Sequence, residues 1–168
     1  MPVYSEVLED HEIVKMIRNK YNNVLVVGCP SCMNESLAYI NNSPIFIKEG
    51  KKDIPFSINE KVQKIVKTLN SEGISVKFTF IPTESNTFCI IDTDKDNYQL
   101  SKDNQPEAII VLCCPSGVYG LASKYPNIKI LKVTRQCGYL SYNCYTDEDG
   151  TKHIIKEKSC ITSINKKE

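Results

Sequence analysis

Residues 24–32 read Val24-Leu25-Val26-Val27-Gly28-Cys29-Pro30-Ser31-Cys32. Four consecutive apolar residues, three of them β-branched, predict a buried strand. Gly28 and Pro30 end it, and Ser31 is placed to cap a helix over 32–40. Two thiols are thereby expected at the C-terminal tip of a strand, where open α/β sheets build their sites. The pattern returns at Ile109-Ile110-Val111-Leu112-Cys113-Cys114-Pro115-Ser116-Gly117. Again an apolar run meets Cys-Pro-Ser ahead of a helix, here 116–124. Cys29 and Cys114 are therefore expected at equivalent places on one edge of a parallel sheet.

The flanks extend this alternation. Residues 1–8 read as an arm, and 9–21 as an amphipathic helix with Ile13, Met16, Ile17 and Tyr21 on one face. A short edge strand at 45–47 precedes a charged loop over 48–55. Ser57-Ile58-Asn59-Glu60 has capping-box spacing ahead of Val62, Ile65, Val66 and Leu69, with Gly73 as the stop. Ile74, Val76, Phe78 and Phe80 alternate as in a strand with one buried face. A loop over 82–87, an apolar patch at 89–91 and a polar stretch over 92–105, loop or short helix around Tyr98 and Leu100, lead to the second core strand. A strand at 128–133 follows. Asp149-Gly150 predicts a hairpin between 143–145 and 152–156. Together these predict a three-layer, Rossmann-like α/β domain over 1–162, with a mostly parallel sheet, a C-terminal β-hairpin and a flexible tail at 163–168.

Composition narrows the function classes. A net charge of +1 offers no basic face for nucleic acid. No apolar run approaches a membrane span, and no secretory signal is visible, so a cytoplasmic protein is expected. Eight cysteines in 168 residues are many for such a chain. In that compartment they point to metal binding or thiol chemistry rather than a disulfide framework, although several, Cys113 first, would simply fill the core. His11 and His153 are the two histidines, both expected at the surface, so a metal site would be thiolate-rich and suited to zinc or iron–sulfur.

Cys29-x-x-Cys32 carries the strongest local signal. Two thiolates at this spacing grip a metal that other cysteines complete. Alternatively they form a dithiol at a helix N-terminus, where the dipole lowers the pKa of Cys29 and makes it a nucleophile. Both could also be structural. For a metal, Cys114 is favoured as a further ligand by the echoed strand and Cys89 comes next, with Cys137 as the alternate. Cys113 should face away from Cys114. Cys144 and Cys160 could pair as a second site through the hairpin, although their spacing matches no known motif. There is no GxGxxG and no Walker lysine, and the acidic pairs sit in turns.

The order of these features resembles the zinc- or iron–sulfur-binding domain associated with methylenetetrahydrofolate reductase in anaerobic bacteria, found as a C-terminal domain or small subunit. The matching elements are the leading helix, residues 24–32, the isolated Cys89, Cys114 with Gly117, Thr134 with Gly138, and Cys160. They span most of 9–160. Where that family often carries a third cysteine after the CxxC, this chain has Ser36. The resemblance implies a zinc ion or 4Fe–4S cluster held by Cys29, Cys32, Cys89 and Cys114. It also implies an accessory role, structural or in electron transfer, beside a larger redox enzyme of one-carbon metabolism. The rival expectation is a dithiol oxidoreductase using Cys29 and Cys32. The sequence is compatible with a chain that acts alone or as a homo-oligomer.

Overall fold

A computed structural model describes residues 1–80 and 105–164, with 77–80 described by backbone alone. Cys89, the loop at 82–87, the patch at 89–91, the stretch 92–104 and the tail residues 165–168 lie outside the described residues. The chain is a mixed α/β protein with two sheets, one parallel and one antiparallel.

The parallel sheet follows from the two apolar runs. β2 (Asn23–Gly28) pairs in parallel with β6 (Ala108–Leu112), in the register Val24↔Ala108 to Gly28↔Leu112. β5 (Ser75–Phe80) lies outside β2, and β7 (Lys129–Lys132) outside β6. All five residues of β6 are buried, as a strand covered on both faces requires. α1 (Asp10–Ile17) contributes Ile13, Val14 and Ile17 to this core. α3 (Phe56–Ser71) adds Ile58, Val62, Ile65 and Leu69. α4 (Pro115–Lys124) packs on β7.

The predicted helix start at 57–60 is corrected. α3 begins at Phe56 behind an N-cap at Pro55, and Ser57 makes no capping bond. Its hydroxyl instead donates to the Pro44 carbonyl at 2.6 Å. The orphan N–H of Ile58 goes to Asn34 Oδ1 at 2.9 Å, while Asn34 Nδ2 donates to the Ile45 carbonyl at 2.8 Å. A buried side chain from α2 (Cys32–Asn41) thus satisfies the first turn of α3. No local pattern announces such a cap.

The antiparallel sheet departs furthest from the expected single, mostly parallel one. Its order is β1-β8-β9-β3-β4. Residues 1–8, expected as an arm, supply β1 (Val3–Val7), which pairs with β8 (Thr134–Thr146) from Val3↔Tyr139 to Val7↔Thr134. The expected loop at 48–55 is the turn and second strand of a hairpin, β3 (Phe46–Glu49) and β4 (Lys52–Pro55). Gly50, at φ +63°, makes its turn. β4 is an edge strand and β3 meets β9 only at Phe46, so both tolerate charge, and Lys48, Glu49, Lys52 and Asp53 disguised them as loop. β8 pairs antiparallel with β9 (Lys152–Ser163) on either side of a turn closed by Asp147 N–H donating to the Thr151 carbonyl at 3.0 Å.

The sheets join at Val133, which is fully buried. Its N–H donates to Val111 of the parallel sheet at 3.4 Å, and its carbonyl accepts from Leu8, just after β1, at 2.9 Å. α2 bridges the two units, packing on β1 and on α3. A smaller apolar cluster of Tyr4, Ala38, Ile45, Leu140 and Ile154 fills the space under the antiparallel sheet.

Candidate functional site

The site forms where β2 and β6 end side by side. The Cys29 N–H donates to the Leu112 carbonyl at 3.0 Å, extending the ladder one residue past β2. Gly28 precedes it because α3 presses there: a Cβ would stand 2.6 Å from Ile58 Cγ1 and 3.0 Å from Val62 Cγ2. Cys29 and Cys114 do share one rim, but their expected equivalence is corrected. Since Gly28 opposes Leu112, Cys29 is in register with Cys113, not Cys114. The Cys113 side chain is fully buried in the core, and its carbonyl accepts from Thr134 Oγ1 at 2.7 Å.

The residues that do correspond are the two at helix starts. Cys114 is the N-cap of α4, extended at φ −70° and ψ 167°, with Pro115 at the first helical position. In the first turn, Pro30 and Ser31 stay outside the helix and Cys32 is its first residue. Ser31 occupies the N-cap position but makes no side-chain capping bond.

The thiols of Cys32 and Cys114 hydrogen-bond to each other. That bond, foremost, lowers the Cys114 thiol to about 5, with backbone N–H groups of Gly117 and Ser116 adding to it and burial opposing. The same bond, then burial, pushes Cys32 far above the ordinary thiol range. Charge is therefore favoured on Cys114, at the start of α4, and disfavoured on Cys32. The charge of Cys29 also raises Cys32, and the Val3 backbone partly offsets it. The thiol whose charged form is favoured is Cys114, where the dithiol reading of the sequence pointed to Cys29.

Ser36, at the position of the family's extra cysteine, fastens β1 to this site. Its hydroxyl donates to the Cys32 carbonyl at 2.8 Å and accepts from the Ser5 N–H at 3.2 Å. Sequence reasoning missed two neighbours, Glu35 and Tyr142. Glu35 sits one helical turn after Cys32, where burial raises its carboxyl while a hydrogen bond from Tyr142 counteracts. Burial, then the charge of Glu35, raises Tyr142 above the ordinary phenol range. The i, i+3 spacing from Cys32 was the available signal for Glu35. For Tyr142 only the β8 register supplies one.

Among the described residues, Cys137, Cys144 and Cys160 do not join. Cys137 bonds locally to the Arg135 carbonyl at 3.5 Å. Cys144 opposes Ile154 and Cys160 opposes Ser141, so β8 and β9 keep these two apart rather than pairing them. His11 is exposed, as expected, while the partly exposed His153 stacks on Tyr145 and reaches Asp147 Oδ2 at 3.2 Å. A groove of about 880 Å³ includes Leu37, Phe56 and Lys67 in its lining but no thiol, and is separate from the site.

Among the described residues, no group of three or more His, Cys, Asp or Glu is arranged to hold a metal ion. The described donors supply a contacting pair and a third thiol within electrostatic reach, short of a four-thiolate set. Among them, too, no helix is long and apolar enough to cross a membrane. Comparison with family models, with curated proteins and with solved structures yields no match.

Proposed function

We propose that the chain is a dithiol–disulfide exchange protein of the cytoplasm, built on a Rossmann-like unit, with Cys114 as nucleophile and Cys32 as resolving thiol. One observation carries this reading: the Cys32 and Cys114 thiols interact at the start of α4, where that contact and the nearby backbone N–H groups favour charge on Cys114, although its side chain makes no capping hydrogen bond. Cys114 attacks one sulfur of a disulfide substrate, and the substrate's other sulfur leaves as a thiolate that takes up a proton. The Cys32 proton passes to solvent, and Cys32 attacks Cys114 Sγ in the mixed disulfide. The second substrate thiolate leaves, and two electrons have moved from the pair to the substrate. The test is incubation of the reduced protein with oxidised glutathione, with peptide mapping of the product. A Cys32–Cys114 disulfide is expected on the path. Thiols that stay reduced, or only mixed disulfides at Cys144 and Cys160, overturn the reading.

The convergence of Cys29, Cys32 and Cys114 from distant parts of the chain supports a second reading. In it Cys89 completes the set, and the four thiolates hold zinc, which would brace the rim, or a 4Fe–4S cluster, which would relay electrons. The chain would then serve a larger one-carbon redox enzyme such as a methylenetetrahydrofolate reductase. Elemental analysis of anaerobically purified protein separates the two readings: one zinc or four irons per chain favours the centre, and metal-free protein favours the dithiol.

A further inference from the structure

We propose that the open edge of β9 pairs antiparallel with the same edge of a second copy of the chain, joining two five-stranded sheets across a two-fold axis. β8 pairs with one side of β9 from Thr146↔Lys152 to Gly138↔Ser163. On the other side the short β3 meets β9 only at Phe46↔Lys152, and among the described residues no strand covers the rest. Existing hydrogen bonds fix which groups face outward there. Leu140 N–H donates to the Pro2 carbonyl at 3.0 Å, away from β9, so its partner Ile161 turns its own N–H and C=O away from β8. Ile164 N–H donates to the Cys137 carbonyl at 3.2 Å, so Ile164 faces β8 and Ser163 faces out. Ile161 and Ser163 thus present a donor and an acceptor each along an open edge.

The outer edges of this sheet are guarded, and this one is not. On β1, Ser5 N–H donates to Ser36 Oγ at 3.2 Å, and the Val3 carbonyl accepts from that hydroxyl at 3.3 Å. β4 is short and carries Lys52 and Asp53. On β9 the charges stop at Lys156-Glu157-Lys158. The run Ser159-Cys160-Ile161-Thr162-Ser163-Ile164 has no charge, Gly or Pro.

That charge pattern selects a second copy as the occupant. Antiparallel pairing lays the two uncharged runs together and sends the two charged stretches to opposite ends, whereas a parallel arrangement sets like charges side by side. Tyr139 and Ile164, 41% and 43% exposed, add an apolar flank. Tyr139 opposes Thr162, and Ile164 follows on the same face two residues later. The axis extends this flank into one stripe across the joined sheet. Both edges are consumed, so assembly stops at the dimer.

Sedimentation equilibrium and hydrogen exchange on the full chain, with reductant present and across the micromolar range, test this. A monomer–dimer equilibrium is expected, with protection of the Ile161 and Ser163 amides rising as the dimer forms. Ser163→Pro removes an outward N–H and no bond to β8. Each copy loses one donor, so the dimer dissociation constant should rise about tenfold or more. Ser163→Lys keeps the N–H but brings like charges together at the axis, and should weaken the dimer as well even if the proline variant fails to fold. A chain that stays monomeric overturns the inference. So does a dimer that both variants leave intact, or growth beyond the dimer. Protection of both amides in the monomer would show that the chain covers its own edge, and also overturns it.

Discussion

The chain writes Cys-Pro-Ser twice after a core strand and folds it two ways. At 114–116 the cysteine is the helix N-cap and the proline enters the first turn. At 29–31 all three residues precede the helix, and Cys32 opens it instead. At its own position the Cys29 N–H continues a strand ladder, while Cys114 stands as the N-cap of α4. An identical tripeptide therefore does not define an equivalent thiol. Reactivity follows position relative to the helix start, because the field of unpaired N–H groups decays within one turn.

Exchanging the two cysteines for serine should break or sharpen this contrast most strongly. Cys114→Ser is expected to slow the first exchange step with oxidised glutathione by about 100-fold or more, through loss of the thiolate. Cys29→Ser should leave that step within about twofold. Stopped-flow thiol kinetics check both, and equal losses would make the two turns equivalent after all. Next in size is the residue before each Cys-Pro-Ser, Gly28 in one and Cys113 in the other. Gly28→Ala drives a Cβ into Ile58 and should destabilise the fold by about 1–3 kcal/mol, measured by urea denaturation.

The pH dependence probes the pair itself. Alkylation of Cys114 should be nearly flat from neutral pH down and half lost as pH falls through about 5. In Cys32→Ala the donor to the thiolate is gone, so its charged form is less favoured and the midpoint should move up by one unit or more. An unmoved midpoint would assign the depression to the α4 backbone alone. The smallest effect is expected at Ser31→Ala. Ser31 makes no capping bond, so thermal stability should change by less than about 0.5 kcal/mol.

Much of the fold was legible for a local reason. The runs around Val24–Val27 and Ile109–Leu112 can only be buried strands, and α2 and α4 lie close to their expected spans, while α1 stops at Ile17, four residues short of the expected Tyr21. The second sheet was not legible. β1, β3 and β4 are short and mix polar with apolar residues; β1 and β3 find partners far away in sequence, in β8 and β9, and β4 is added through β3. Likewise the cap on α3 comes from Asn34, which no motif near Phe56 reveals.

By itself, the sequence determined that two core strands end in thiols and that helices follow them, since burial and helix initiation are read from neighbouring residues. Tertiary structure alone decided which thiols meet. The β2–β6 register sets Cys29 beside Cys113, and the different helix starts bring Cys32 to Cys114. Register and helix onset are set by packing across the sheet, and a one-residue offset there exchanges a core cysteine for a reactive one.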